Sequence, residues 1–241
     1  MERRVGLARA LSKLGYCSRS QAVELIRAGR VHLNGALRRD PESPVVLARD
    51  RIEVDGRPLR DAVKTYWMLN KPRGVLTTAS DEQGRETVYR YLPEDVPWLA
   101  PVGRLDKASE GLLLFTNDSE WAARITAPET HLDKTYHVQI NAVADAALAA
   151  KLCIGVRVDA GELLRAKSVE ILREGEKNSW LIVVLDEGKN RQIRRMLEAL
   201  GIEVLRLIRV AIGPLRLADL PKGKCRELTA DEKSALDHES C

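Results

Sequence analysis

Apolar positions in the first sixty residues recur at helical spacing and then switch to alternation. Leu7, Ala10, Leu11 and Leu14 lie three or four apart, which predicts a helix that Gly15 ends. Ser18 with Gln21 three residues on has the form of a capping box and opens a second helix. That helix runs to about Ala28, with Ala22, Val23 and Ile26 inward and Gly29 as its stop. Arg30–Leu33 reads as a short strand followed by the hairpin-turn pair Asn34-Gly35. A further strand and turn span Asp50–Leu59, where Ile52 and Val54 alternate and Asp55-Gly56 turns. A polar joint follows at residues 60–65.

Beyond the joint the pattern has mostly period two or short apolar runs. It predicts strands at Tyr66–Leu69, Val75–Thr77, Leu112–Thr116, Thr135–Ile140, Val169–Leu172, Trp180–Leu185 and Val204–Val210, and one near Leu215. Helices are predicted around Asp118–Arg124, Ala144–Leu152 and Arg191–Leu200. Strands dominate and do not alternate regularly with helices, which favours an α+β domain with a mixed, mainly antiparallel sheet. The polar tail from Asp231 is expected to be partly disordered.

Length and charge add two constraints. A chain of 241 residues has room for a small domain and a larger one. No apolar run reaches the roughly 18–20 residues needed to cross a bilayer, and no secretion signal follows Met1-Glu2-Arg3-Arg4, so a cytoplasmic protein is expected. The four cysteines are scattered, without a Cys-x-x-Cys pair, which points to free thiols rather than disulfides or a zinc site. The four histidines do not have metal-ligand spacing, so no metal is expected. Net charge is +4, yet residues 1–39 hold nine Lys or Arg against two acids, while the rest holds 30 against 33. A positive pole on a near-neutral chain suits a polyanionic partner.

Four segments carry candidate chemistry. Gly103-Arg104-Leu105-Asp106-Lys107-Ala108-Ser109-Glu110-Gly111 is a polar loop feeding an apolar strand. Alone, an aspartate beside an arginine in a turn is more often a loop-fixing residue than a catalyst. Asn70-Lys71-Pro72-Arg73-Gly74 is a rigid turn with two cations. In Asp133-Lys134-Thr135-Tyr136-His137-Val138, alternation puts Tyr136 on the face of Val138, inward, where it can pack or stack on a base. Glu187-Gly188-Lys189-Asn190-Arg191-Gln192-Ile193-Arg194-Arg195-Met196 reads as a helix capped by Asn190, with Ile193, Met196, Leu197 and Leu200 as its apolar face. Arg191 and Arg195 then fall on the solvated side. Arg194 falls at the margin, where it could reach a buried carboxylate.

The N-terminal pattern Leu-Ala-Arg-Ala-Leu-Ser-Lys-Leu-Gly-Tyr-Cys-Ser-Arg-Ser-Gln-Ala, then Gly-Arg-Val-His-Leu-Asn-Gly, resembles the α-L RNA-binding domain. The resemblance implies phosphate contacts from Arg9, Lys13, Arg19, Arg27 and Arg30. The succession Asn-Lys-Pro-Arg-Gly, Gly-Arg-Leu-Asp-x-x-Ser-x-Gly-Leu-Leu-Leu, Lys-Thr-Tyr and Gly-Lys-Asn-Arg-Gln-Ile-Arg-Arg-Met resembles the pseudouridine synthases of the small-subunit rRNA type. Together they imply an α-L domain over residues 1–62 and a catalytic domain over 65–241. They also imply that Asp106 is the nucleophile, that Tyr136 stacks on the target uracil, and that Arg194 pairs with Asp106. Arg104 would displace or hold the flipped nucleotide, and Lys71, Arg73, Lys189 and Arg191 would contact RNA. The partner would be ribosomal RNA or a ribosomal assembly intermediate, bound by a monomer. The Asn-Arg-Gln-Ile-Arg-Arg-Met form favours large-subunit (23S) over 16S rRNA. The isomerisation imports no group and changes no oxidation state, so no cofactor is expected. A carboxylate in such a site must be ionised; burial opposes this and an adjacent arginine favours it.

A non-catalytic rRNA-binding or ribosome-assembly factor would equally explain the basic N-terminus, but it gives Asp106, Tyr136 and Arg194 no common purpose. A methyltransferase is disfavoured because none of the 16 glycines forms a Gly-x-Gly pair. A glycosidase needs a second positioned carboxylate, and Glu110 is too near Asp106 in sequence to oppose it easily.

Overall fold

The computed structural model describes residues 4–59, 62–79, 81, 83–130 and 132–239, which fall into two compact units. The first unit comprises the chain up to Tyr66 with segments 92–100 and 115–121. Its opening strand β1 (Val5–Gly6) pairs antiparallel with β4 (Pro44–Val45). Helices α1 (Leu7–Lys13) and α2 (Arg19–Arg27) follow the predicted apolar spacing. Ser18 caps α2 reciprocally with Gln21, and Gly15 and Gly29 take the left-handed conformation just past the two helices.

A four-stranded antiparallel sheet completes this unit, in the order β3 (Ala36–Arg38), β2 (Val31–Leu33), β5 (Ile52–Val54), β6 (Arg57–Pro58). Asn34-Gly35 and Asp55-Gly56 both have positive φ, as hairpin turns of the primed type require. Leu7, Leu11, Ile26, Val31, Ile52 and Val54 share one core.

The second unit is built on a nine-stranded sheet. Its path runs β13 (Ser168–Glu174), β14 (Ser179–Leu185), β10 (Lys134–Ile140), β15 (Val204–Ile212), β9 (Glu110–Thr116), β7 (Tyr66–Lys71), β17 (Cys225–Glu227). Two short strands lie off this path: β8 (Ala100–Val102) beside β9 and β16 (Leu215–Arg216) beside β15. The β13–β14, β14–β10, β10–β15 and β7–β17 pairings are antiparallel, but β15 and β9 run parallel. Every residue of β9 is buried, which is why it reads as a continuous apolar run rather than an alternating one.

Helices α3 (Ser119–Thr126), α4 (Ala146–Ile154) and α5 (Gln192–Glu198) lie close to the predicted ranges. Ile193, Met196 and Leu197 of α5 join Val138, Leu181 and Val183 in the core. At about 1.5–3 kcal/mol per buried apolar side chain, these three residues anchor the helix firmly.

Three expectations are corrected. Val75–Thr77 is not a strand: Leu76 makes only a single bridge, to Thr87, because the segment is drawn aside to hold the loop described below. Asn190 does not cap α5. The position before the helix is Arg191, in left-handed conformation (φ 49°) without a side-chain cap. The tail expected to be partly disordered forms helix α6 (Ala230–Glu239), closed at its start by Thr229 and Glu232 and tied to β17 by the Arg226–Glu232 ion pair. Ser240 and Cys241, like Arg60 and Asp61 of the joint, lie outside the described residues. No helix among the described residues is long and apolar enough to cross a membrane.

Candidate active site

The loop from Gly103 to Ser109 joins β8 to β9, and it is held through its backbone. Thr77 Oγ1 donates to the Leu105 carbonyl at 2.7 Å. The Gly74 N–H donates to Lys107 O at 2.7 Å, and the Ser109 N–H to Asp106 O at 2.9 Å. Arg194 Nη2 donates to Ala108 O at 3.0 Å. Lys71 Nζ donates to the carbonyls of Pro72 (3.0 Å), Asp106 (3.2 Å) and Ser109 (2.9 Å). Five consecutive carbonyls, 105 through 109, therefore each accept a hydrogen bond. The loop has the fixity of a regular element without being one, and Asp106 projects from it.

Lys71 was expected to touch RNA, and the structure corrects this. It ends β7 facing inward, and it is completely buried. Burial pushes its pKa down to about 8, against the opposing pull of Asp106 and Glu110. An ammonium with all three donors spent on carbonyls beneath the Asp106 loop has nothing left for an external phosphate.

Asp106 is half-buried, and its carboxylate lies 3.8 Å from Arg191 Nη1. The expected partner was Arg194, and here too the geometry differs. Arg194 gives one Nη to Ala108 O and the other to Val204 O (3.3 Å). Its charge still acts on the site: burial first, then repulsion from Arg191 and Arg73, lowers the guanidinium pKa, while Asp106 opposes the fall. The change of partner follows from the helix start. With Arg191 left-handed rather than helical, its side chain swings from the solvated side toward Asp106. Arg195, also expected to be solvated, pairs with Glu162 at 2.8 Å.

Tyr136 lies on β10 as predicted and shares a cavity of about 560 Å³ with Asp106, Arg104, Arg191 and Arg194. Arg104 stands exposed at that cavity, without an ion pair among the described residues. Lys189 also lines it, facing Glu187 (3.2 Å) and Glu162 (3.6 Å). Arg73 lies apart from Asp106, in an adjoining cleft of about 490 Å³ that Arg191 and Arg194 also wall. Glu110 is no opposing acid. Burial pushes its pKa up, but hydrogen bonds from Arg206 (3.1 Å) and Lys222 outweigh this and bring it below the usual carboxylate range.

Among the N-terminal cations, Arg9, Arg19 and Arg27 are exposed. Arg30 is exposed but bonds Asp55 through two nitrogens, and Lys13 pairs with Glu120 at 2.8 Å.

Sequence reasoning did not single out two positioning residues. Gln192, 2% exposed, donates to Arg165 O (2.9 Å) and Glu187 Oε1 (2.7 Å) and accepts from the Lys189 N–H (3.3 Å), so it fixes the loop ahead of α5. Gly111 sits at φ 102° with its Cα against the Arg209 backbone, where a Cβ would collide with the Arg209 carbonyl. The signal for Gly111 was present, since only glycine combines that φ with such an approach. The signal for Gln192 was not, because a polar residue beside a helix start looks solvated.

Comparisons with known proteins identify the family. Residues 65–199 match the RNA pseudouridylate synthase family, and residues 5–52 match the S4 domain. The chain is 37% identical over 231 residues to the ribosomal large subunit pseudouridine synthase B of Bacillus subtilis, covering 95% of this chain and 94% of that protein. It is also 37% identical to an uncharacterized RNA pseudouridine synthase of Aquifex aeolicus, covering 96% and 93% of the two chains. A crystal structure of a pseudouridylate synthase superposes with a TM-score of 0.68 at 31% identity, covering 96% of this chain and 99% of the other. With that family match spanning over half its length, and an S4 domain ahead of it, the chain belongs to the RNA pseudouridylate synthases.

Proposed function

We propose that the protein converts a specific uridine of ribosomal RNA to pseudouridine, in the large-subunit rRNA rather than the small, with Asp106 as the nucleophile. The supporting observation is the cavity of about 560 Å³ that Asp106 shares with Tyr136, Arg191 and Arg194. The name of the Bacillus subtilis relative supports the large-subunit assignment. In this reading the target nucleotide is flipped out of its stack, at a cost of a few kcal/mol. Stacking on Tyr136 and phosphate contacts offset that cost, the former by about 1–3 kcal/mol. The C1′–N1 bond breaks with Asp106 as nucleophile. The base turns, C5 bonds to C1′ as the Asp106 carboxylate leaves that carbon, the proton on C5 departs and N1 takes one up. Tyr136 is positioned to assist that proton, and Arg191 and Arg194 line the same cavity as the carboxylate. The N-terminal domain, residues 1–62, holds the RNA through Arg9, Arg19 and Arg27, and residues 65–241 carry the chemistry.

The test is pseudouridine mapping in rRNA from cells lacking the protein, followed by in vitro modification of the fragment found. One uridine should lose its modification. Asp106→Asn should lower turnover by about 10³-fold or more while RNA affinity is kept, since the group lost acts on the reacting atoms. Full turnover by Asp106→Asn would remove the nucleophile assignment. An unchanged rRNA map, with no modification in vitro, would remove the substrate.

A further inference from the structure

Arg209 is a second buried cation in this site, and nothing above uses it. It lies on the central strand β15, 6% exposed, and lines the cavity that holds Asp106. Nε donates to the Leu112 carbonyl at 2.7 Å, but Nη2 is buried without a partner in the structure. A buried guanidinium with an idle donor is costly, so its retention asks for an occupant.

Strand register explains how it reaches the cavity. Thr135 is opposite Ala211, but Tyr136 is opposite Arg209, so Val210 is an extra residue and the strand bulges there. Bulges re-aim side chains beside functional sites. This one brings Arg209 to the same face as Tyr136, as direct cross-strand neighbours. On its other side Arg209 is opposite Gly111, which has no side chain to fill the space. Lys134, two residues before Tyr136, lines the same cavity, and its ammonium has neither hydrogen bond nor ion pair among the described residues. Burial, then the nearness of Arg209, lowers its pKa. The floor therefore presents two unpaired cationic donors beside an aromatic ring.

We propose that Arg209, assisted by Lys134, donates to a carbonyl oxygen of the extruded uracil and so fixes the base edge-on against Tyr136. This rests on the function proposed above. A uracil oxygen suits the site better than a phosphate does. The Arg209 donor lies directly across from the Tyr136 ring on which the base stacks, so a base edge held against that ring meets it, whereas the sugar-phosphate lies away from the ring face.

The test pairs a protein change with a single-atom change in the substrate. The rRNA fragment modified by the wild type is prepared with uridine, 2-thiouridine or 4-thiouridine at the target. Sulfur accepts hydrogen bonds poorly, so the wild type should slow about tenfold on one of the two thio substrates. Arg209→Met should be at least tenfold slower on uridine and should not distinguish that thio substrate from uridine within twofold. A merely structural arginine would not produce this coupling. If Arg209→Met fails to fold, Arg209→Lys and Lys134→Met take its place with the same readout. Equal sulfur penalties in wild type and variants, at both positions, overturn the proposal. A calorimetric titration with uridine 5′-monophosphate separates the two readings. Arg209-dependent binding by a wild type that modifies no rRNA keeps this site and removes the proposed function. Turnover without coupling does the reverse. Inorganic phosphate displacing the nucleotide, with no thio coupling, makes the site a phosphate site and overturns the uracil assignment.

Discussion

Lys71→Met keeps most of the buried stem and deletes the three donors beneath the Asp106 loop. Asp106 O keeps its bond from the Ser109 N–H, so the carbonyls of Pro72 and Ser109 are orphaned, at about 1–3 kcal/mol each, or about 2–6 kcal/mol together. Against this, the ammonium no longer has to be desolvated. Its fall in pKa from 10.5 to about 8 corresponds to about 3 kcal/mol at 1.36 kcal/mol per pKa unit. The expected net destabilisation at pH 7 is about 1 kcal/mol, or a melting temperature lower by about 2–4 °C for a chain of this size. The pH dependence has a definite sign. The folded pKa of Lys71 lies below its unfolded value, so between pH 8 and 10.5 the unfolded chain holds a proton that the folded one has lost. Wild-type stability therefore gains across that window, and the Met variant has no group to gain from it, so the gap between the two widens. Thermal unfolding at pH 7 and pH 9.5, with single-turnover rates at pH 7, measures both effects. A Lys71→Met protein with wild-type melting temperature and rate would show that the loop does not depend on this cation.

Other changes are expected to act through different terms. Gly111→Ala should leave little soluble protein, because a Cβ meets the Arg209 carbonyl at φ 102°. Gly103→Ala is the control: its φ is 74°, but its nearest neighbour is 3.7 Å away, so thermal melting should show only the left-handed backbone cost of about 1–2 kcal/mol. Replacing Arg9, Arg19 and Arg27 with serine should reduce the slope of log affinity against log salt by about 2, with the single-turnover rate at saturating protein unchanged. Glu232 is held down to about 2, chiefly by hydrogen bonds from Arg226. Its contribution is full above the ordinary value of 4.5 and vanishes as pH falls through 2. Glu232→Gln should thus melt like wild type near pH 2 and be about 1 kcal/mol less stable at pH 6, a figure kept small because Arg226 is partly solvated.

What could be read from the chain alone depended on how local the cause was. The Ser18 capping box, the two hairpin turns and the apolar face of α5 are set by residues within a few positions of one another, and they stand as predicted. Asp106, Tyr136 and Arg194 share a cavity as their motifs implied, and Arg191, expected on the solvated side, lines it too. The partners of these residues were not legible. Lys71 looks like a surface cation beside a turn, and only the β7–β9 region of the sheet makes it a buried brace. Which arginine meets Asp106 turns on the φ of Arg191, and no periodicity encodes that. The parallel β15–β9 pairing joins residues almost a hundred positions apart, so neither the Gly111 contact nor the place of Arg209 could be read in advance.

The loop and its carboxylate are treated differently, and the difference bears on how the site works. Every carbonyl from Leu105 to Ser109 is engaged, by donors from three stretches of chain, residues 71–77, Ser109 and Arg194. The Asp106 side chain keeps 36% of its surface and meets Arg191 only across 3.8 Å. A 3.8 Å contact with a solvated arginine contributes little to stability, about 0–1 kcal/mol. The fold therefore secures the position of Cα and leaves the carboxylate little restrained. A carboxylate locked between two guanidinium groups would have to break charge-assisted bonds before it could act. One fixed only at its backbone starts within reach of an incoming sugar or base without that penalty. The left-handed Arg191 fits the same logic, since a non-glycine residue held at that φ is strained by about 1–3 kcal/mol. Movement of Arg191 onto an RNA phosphate would release that strain and free Asp106 in the same step. A crystal structure with RNA bound would then show Arg191 turned away from Asp106, and Arg191→Gly, which removes both strain and contact, should retain most of the single-turnover rate.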